Sequence, residues 1–165
     1  MNKSIEGKFH TVRGYQLKNQ NESGLTPALE DYLEMTYRLC IEEKYTRINR
    51  LSEYLHVRPS SASKMVSRLV ELGYLEYDSL GSILLTGKGR KVGAYLLERH
   101  NIMERFFTLV GSANCLEETE LVEHMLCPST VLKIKALMEF FAQNPDIVQQ
   151  FKSFADNVTF SEITY

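Results

Sequence analysis

Long hydrophobic runs are missing from this sequence, and cysteine is scarce. No apolar segment approaches the roughly 20 residues that a membrane helix needs, and the first 21 residues are polar, unlike a secretory signal. The three cysteines, Cys40, Cys115 and Cys127, are an odd number with wide spacing, which excludes a disulfide framework and a zinc-finger pattern. We therefore expect a cytoplasmic protein without a membrane partner, and we interpret Cys115 and Cys127 as small buried apolar residues.

The composition is that of a globular protein with an uneven distribution of charge. The chain has 165 residues, of which 44% are hydrophobic and 24% charged, enough for one domain or two small ones. The net charge is only −2, yet residues 44–91 hold nine Lys or Arg against four acids, and residues 116–156 hold three Lys against seven acids. A basic first half suits a polyanionic partner, and an acidic second half suits cations.

Apolar periodicity and capping residues predict a mainly α-helical chain with one hairpin. Thr26-Pro27 is typical of a helix start, and Gly73 of a helix end. Asn114 and Glu117 resemble a capping box, and Ser129 a helix cap. Helices are predicted over about 27–43, 46–55, 59–72, 87–110, 115–127, 130–142 and 147–154, with strands over 74–77 and 82–86.

A helix, a short turn, a second helix and a hairpin are the layout of a winged helix-turn-helix. The second helix starts with three serines among four residues, and such small hydroxyl side chains let a helix N-terminus enter the major groove and meet phosphates or base edges. The alternative is that these serines are simply helix-start residues. The predicted DNA-binding residues are Arg47, Arg58, Pro59, Ser60, Ser61, Ser63, Lys64 and Arg68.

The second half combines a widely apolar helix with a possible ligand cluster. Apolar residues surround the helix that ends near Val110 more fully than one face needs, which indicates burial by its own domain and by a partner chain. Glu120, Glu123 and His124 share one helix face, and oxygen ligands mixed with imidazole suit Mn²⁺, Fe²⁺ or Zn²⁺. A solvated glutamate-rich face would explain this triplet equally well on its own.

These features together resemble the diphtheria toxin repressor family of metal-activated transcription factors, in particular its short manganese-regulator branch. The resemblance covers about residues 25–143 and rests on the motifs at 30–34, 58–65, 85–89, 99–100 and 120–124. It implies two metal ions per subunit, most simply Mn²⁺ with Fe²⁺ or Zn²⁺ as alternatives. Iron-responsive members carry Met in place of Glu34 and Cys in place of Glu120. The implied metal ligands are Asp31, Glu34, His100, Glu120, Glu123 and His124.

The resemblance implies a winged helix-turn-helix domain followed by an α-helical dimerisation and metal-binding domain. We expect a homodimer that binds double-stranded operator DNA, takes no small organic substrate, and represses metal-uptake genes when metal is bound. The alternatives are a winged-helix regulator that does not respond to metal and a di-metal carboxylate enzyme, although Glu120-x-x-Glu-His has no second copy and no nucleophile is evident. The expected divisions are an arm over 1–24, the DNA-binding domain over 25–91, the metal-binding domain over 92–143 and a tail over 144–165.

Overall fold

A computed structural model describes residues 24–158, so nearly all of the predicted arm and the last seven residues of the tail lie outside the described range. The chain forms two compact units, one ending at Leu97 and the other beginning at Glu98. The elements of the described range are α1 (Pro27–Glu43), α2 (Ile48–Tyr54), α3 (Pro59–Glu71), β1 (Leu75–Tyr77), β2 (Ile83–Leu85), α4 (Gly87–Val110), α5 (Cys115–Val122), a 3₁₀ turn (Glu123–Met125), α6 (Pro128–Gln143) and α7 (Pro145–Ala155).

Helix α1 begins and ends through local capping. The hydroxyl oxygen of Thr26 accepts a hydrogen bond from the backbone N–H of Leu29 at 3.2 Å, and Pro27 occupies the first helical position. At the other end Lys44 adopts a left-handed conformation with φ of 67° and donates its N–H to the carbonyl of Cys40. The predicted limits of this helix are therefore confirmed.

The first unit is a winged helix-turn-helix with a single apolar core. Helix α3 packs against α1, α2 and β1, and β1 pairs with β2 in antiparallel register, Leu75 opposite Leu85. Gly73 has φ of +76°, the left-handed conformation expected after a helix end. The core residues are Leu25, Leu29, Tyr32, Leu33, Leu39, Cys40, Leu51, Ala62, Val66, Leu69, Tyr74, Leu75, Ile83, Leu85 and Leu96.

The β1–β2 hairpin forms the wing, and a carboxylate stabilises its turn. One oxygen of Asp78 accepts hydrogen bonds from the backbone N–H groups of Ser82 at 2.7 Å and Leu80 at 2.8 Å. These bonds, first of all the one from Ser82, lower the pKa of Asp78 because they stabilise its ionised form. The turn holds the Leu80 side chain at the tip, where it is 81% exposed.

The second unit differs from the predicted pattern around its short helices. Helix α5 ends at Val122 and continues as a 3₁₀ turn, not as an α-helix to residue 127. Asn114 is the N-cap residue of α5, as predicted, but its side chain makes no capping hydrogen bond, so the predicted capping box does not form. Helix α6 starts at Pro128 with Cys127 at its cap, so the predicted cap at Ser129 is wrong as well.

Two of the three cysteines also differ from expectation. Cys40 is buried, and desolvation raises the pKa of its thiol to about 11. Cys115 is half-buried and Cys127 is exposed, so the prediction that both are buried is wrong. Helix α7 confirms the short helix predicted in the C-terminal segment. Among the helices between residues 24 and 158, none is both long enough and apolar enough to cross a membrane.

Candidate metal centre and nucleic-acid interface

Helix α1 carries two of the predicted ligands in the first unit. Asp31 and Glu34 are three residues apart, so they project from neighbouring positions on one side of the helix. Asp31 is half-buried, and Glu34 is buried with 7% of its surface exposed. A carboxylate that is buried to this degree needs a cation or hydrogen-bond donors beside it.

Arg38 supplies that positive charge in this structure. It lies one turn beyond Glu34 and donates hydrogen bonds from Nε at 2.9 Å and from Nη2 at 2.6 Å to the same oxygen, Oε1. Sequence reasoning missed Arg38, although its i+4 position after Glu34 was a usable signal.

The other four predicted ligands come together in the second unit. His100 of α4 places Nδ1 3.6 Å from Oε1 of Glu120 and 3.5 Å from Oε1 of Glu123. His124 places Nε2 3.9 Å from Oε1 of Glu123. Glu120 and His124 likewise offer ligand atoms within 4.8 Å of each other. Glu123 is 1% exposed, whereas the side chain of Glu120 is 54% exposed, so the cluster has a closed end and an open end.

These separations suit a shared cation better than direct hydrogen bonds. Ordinary hydrogen bonds join heavy atoms about 2.7–3.2 Å apart. Oxygen and nitrogen atoms around a six-coordinate ion, with bonds of about 2.0–2.6 Å, lie roughly 3–4 Å from one another. The 3.5–3.9 Å distances among His100, Glu123 and His124 fall within that range.

The 3₁₀ turn helps to place this cluster. Glu123 is the first residue of this turn and directly follows the helix that carries Glu120. His124 follows directly within the same turn. The triplet therefore converges although its residues do not belong to one continuous α-helix as predicted.

Arg99 is a second residue that sequence reasoning left out of the site. It is 4% exposed, with Nη2 3.1 Å from Nδ1 of His124 and Nε 3.6 Å from Oε2 of Glu123. Arginine has only donors, so Nδ1 of His124 accepts and a neutral ring carries its proton on Nε2. Coordination through Nε2 would require the other tautomer. The signal for Arg99 was its position next to His100, in the motif at 99–100.

A buried carboxylate oxygen tests whether these residues fit a metal ion. Oε2 of Glu123 has no hydrogen-bond partner among the described residues. Its cationic neighbour, Nε of Arg99, lies 3.6 Å away, which is too far for a hydrogen bond. Burying a carboxylate oxygen without a hydrogen bond is costly, and a divalent cation would lower that cost. The donor set of carboxylate oxygens and imidazole nitrogens is the one that Mn²⁺, Fe²⁺ and Zn²⁺ accept. The residues of this cluster therefore fit such an ion.

The predicted DNA-binding side chains lie on the outer surface of the helix-turn-helix. Burial of Ala62, Val66 and Leu69 turns the opposite side of α3 outward. Arg68 is paired with Glu71 at 2.7 Å, so part of its charge is already neutralised. Ser63 is half-buried, and the exposed members of the predicted set are Arg47, Arg58, Pro59, Ser60, Ser61, Lys64 and Arg68.

Comparisons with known proteins match both units. Residues 24–81 match the family described as "Iron dependent repressor, N-terminal DNA binding domain", and residues 86–152 match "Iron dependent repressor, metal binding and dimerisation domain". The HTH-type transcriptional regulator MntR of Lysinibacillus sphaericus is 35% identical over 130 residues, which cover 78% of this chain and 94% of the relative. The protein of the same name from Geobacillus kaustophilus is 38% identical over 121 residues, covering 72% and 86%.

A solved structure shows the same architecture. The manganese regulator SloR superposes with a TM-score of 0.60 and 26% identity, over 70% of this chain and 55% of the SloR chain. The superposition therefore leaves nearly half of the SloR chain unmatched.

Proposed function

This chain belongs to the iron-dependent repressor family, and from that premise we propose that it is a Mn²⁺-responsive repressor that binds operator DNA as a homodimer. The family assignment makes it a metal-dependent transcriptional regulator with a DNA-binding domain and a dimerisation domain, and it rules against the alternative of a di-metal enzyme. The match to a metal-binding domain also disfavours a winged-helix regulator that ignores metal. The proposed place of action is the cytoplasm.

One observation carries the proposal: four predicted ligands come together in the domain that the family uses for metal, and one of them, the buried Glu123, has a carboxylate oxygen without a hydrogen bond among the described residues. We propose that Asp31 and Glu34 of α1 complete this ligand set. Four carboxylates and two imidazoles are too many for one six-coordinate ion that also keeps water, and four negative charges balance two divalent ions. Two ions per subunit are therefore proposed.

Manganese is the proposed ion because the ligand set is rich in oxygen. Mn²⁺ ranks lowest in affinity among the common divalent transition metals, so a sensor must select it by hard ligands and geometry. Glu34 and Glu120 supply such ligands. The MntR relatives and the manganese regulator SloR carry this metal in their names. Fe²⁺ and Zn²⁺ fit the same donors and remain competitors in the test.

The bound ions would supply positive charge and ligand bonds among carboxylates that otherwise repel one another. The residues of the chain do the rest: α1 offers Asp31 and Glu34 from the DNA-binding domain, and His100, Glu120, Glu123 and His124 are offered from the dimerisation domain. Holding the α3 helices of both subunits of a dimer about one turn of DNA apart lowers the entropy cost of binding operator DNA. Such coupling is typically worth about 1–3 kcal/mol.

Domain limits are part of the same proposal. The DNA-binding domain is proposed over 25–91, the metal-binding and dimerisation domain over 92–143, and a C-terminal extension over 144–165, of which α7 is the described part. Metal-uptake genes are the proposed targets, since their repression at high metal closes a homeostatic loop.

The experiment is a gel-shift titration of chelator-treated protein. DNA from the promoter region of its own or a neighbouring metal-transporter gene is mixed with the protein in the presence of Mn²⁺, Fe²⁺ under anaerobic conditions, Zn²⁺ or excess chelator. We expect Mn²⁺ to raise the affinity about 5- to 150-fold, the usual range of such coupling. Equal affinity with and without metal would contradict the proposal.

A further inference from the structure

Arg38 competes for a carboxylate that the proposed function assigns to metal. Both of its short contacts, at 2.9 and 2.6 Å, are to Oε1 of Glu34. The side chain of Glu34 is only 10% exposed, whereas that of Arg38 is 37% exposed. A guanidinium and a divalent ion are attracted by the same negative charge, so the arginine on Oε1 weakens the attraction of an ion that approaches either oxygen of Glu34.

A second acidic residue lies within reach of Arg38. Glu42 is four residues further along α1 and therefore on the same side of the helix. Its side chain is 71% exposed, and its carboxylate Oε2 lies 3.8 Å from Nη2 of Arg50, which is a loose ion pair. Arg38 and Glu42 both line an open groove of about 420 Å³ in the first unit, beside Met35, Leu39, Ile41, Tyr54 and Leu97. A guanidinium displaced from Glu34 thus has both space and an opposite charge.

We propose that Arg38 is a built-in competitor for the divalent ion, paired with Glu34 in the metal-free protein and with Glu42 once metal occupies Glu34. This inference rests on the proposed function, because Glu34 must be a ligand. On a helix, an acid four residues before a base is the better order of an ion pair, and Glu34–Arg38 has that order while Arg38–Glu42 has the reverse. The pairing of Arg38 with Glu34 is therefore favoured over its pairing with Glu42, and an ion that binds Oε1 of Glu34 must displace Arg38.

The consequence is that a higher metal concentration is needed to fill the site. An ion that binds Oε1 of Glu34 displaces a charge-assisted pair that is partly shielded from water, and Arg38 regains only a weaker, exposed pair with Glu42. An ion that binds Oε2 meets a carboxylate whose charge Arg38 has already partly neutralised. Arg38 thereby reduces metal affinity without being a ligand, and it sets the metal concentration at which the repressor becomes active.

The test measures Mn²⁺ affinity directly, from the electron paramagnetic resonance signal of free aqueous Mn²⁺. Arg38→Met keeps the length of the side chain and removes its charge, and we expect the Kd to fall about three- to tenfold. Glu42→Gln removes the second partner and should raise the Kd about twofold. In the double variant Glu42→Gln should have no further effect, because Glu42 acts only through Arg38.

Matched controls come from ion pairs that touch neither Arg38 nor Glu42. Lys135 pairs with Glu98 and has the same side-chain exposure as Arg38, 37%, while Glu71 pairs with Arg68 and is 63% exposed. Lys135→Met and Glu71→Gln should each leave the Kd unchanged. Thermal unfolding adds a second readout: without metal, Arg38→Met should melt below the wild type, and saturating Mn²⁺ should raise its melting temperature by more. If Arg38→Met fails to fold, Arg38→Gln takes its place.

The outcomes separate this inference from the proposed function. An unchanged or higher Kd in Arg38→Met overturns the competitor role, since a higher value would mean that Arg38 orients Glu34 for metal. Independent, additive effects of the two substitutions would overturn the role of Glu42. If the wild-type protein binds no Mn²⁺, the proposed function and this inference are both wrong. If the wild type binds Mn²⁺ but Arg38→Met does not lower the Kd, the proposed function stands and only this inference is wrong.

Discussion

At the scale of single residues, the proposed choice of metal depends on the carboxylates of Glu34 and Glu120. Glu120 lies at the open end of the cluster, with 54% of its side chain exposed, so a substitution there changes the ligand with little disturbance of the core. Glu34 is different, because its carboxylate is buried and paired with Arg38. Selectivity is therefore best examined at Glu120.

Glu120→Cys should move the metal preference toward Fe²⁺ and Zn²⁺. A thiolate is a softer ligand than a carboxylate, and it favours metals above Mn²⁺ in the usual affinity order. Calorimetric titration with each metal, paired with DNA-binding assays, measures the ranking. Glu117→Cys, on the exposed first turn of the same helix, is the control and should leave the ranking unchanged. An unchanged ranking in Glu120→Cys would refute the selectivity argument.

A pair of glycines at the start of α4 gives a sharp test of the packing. A Cβ built on Gly89 would lie 1.9 Å from the backbone oxygen of Tyr74, whereas one on Gly87 would meet nothing within 4 Å. Gly89→Ala should therefore destabilise the protein by about 3 kcal/mol, and Gly87→Ala by no more than about 0.5 kcal/mol. Chemical denaturation of both variants checks this, and equal stabilities would show that the helix does not approach the hairpin as described.

At the scale of elements, α3 is suited to DNA by what surrounds its first turn. Arg58 and Pro59 introduce the helix, and three small serines leave its N-terminal end without bulky side chains. Lys64 is exposed, whereas Arg68 is held by Glu71. Lys64 is therefore the cation of this helix for which substitution gives the clearest effect on phosphate binding.

Lys64→Gln should weaken DNA binding to all sequences and reduce its dependence on salt. Each phosphate contact that is lost lowers the slope of log affinity against log salt by about 0.9. Metal affinity should not change, because Lys64 is not one of the proposed ligands. Fluorescence anisotropy at several salt concentrations measures the slope, with Lys152→Gln on α7 as the matched control. A salt slope equal to that of the wild type would argue against α3 as the DNA-contacting helix.

The elements also show where sequence reasoning succeeds and where it fails. The limits of α1 and the end of α3 were predictable, because Thr26, Pro27 and Gly73 act through their own backbone geometry. The segment between 114 and 129 was not, since a 3₁₀ turn satisfies the same i+3 spacing as an α-helix and periodicity alone does not separate them. The cap at Ser129 was misassigned because Pro128 at the first helical position moves the cap to Cys127.

The candidate site also has residues that the sequence predicts and residues that only the structure identifies. Residue types and spacing made Glu120, Glu123 and His124 candidates, and the resemblance to a known family added Asp31, Glu34 and His100. Four of these six candidates do come together in the second unit. Arg38 and Arg99 were missed, because a cation beside a carboxylate is an ordinary pattern on a helix surface. Only burial and distance distinguish these two arginines, with Glu34 and Glu123 largely withdrawn from water.

At the scale of the whole molecule, the proposal makes metal a link between two domains. The ligands that α1 contributes belong to the unit that ends at Leu97, and the other four belong to the unit that begins at Glu98. If both sets hold the same ions, metal stabilises the chain only when each set is intact. If the second unit holds its ions alone, the carboxylates of α1 are irrelevant to metal binding.

Thermal unfolding with and without Mn²⁺ distinguishes these cases. At a free concentration of about 100 times Kd, a bound ion adds roughly 2.7 kcal/mol, which for a chain of this size raises the melting temperature by about 5–10 °C. Asp31→Asn/Glu34→Gln should lose most of that increase, while its metal-free stability is measured separately to exclude misfolding. Glu30→Gln/Glu43→Gln removes the same charge from α1 and should keep the increase. An equal rise in both double variants would mean that α1 takes no part in metal binding, and the link between DNA binding and metal would then need another route.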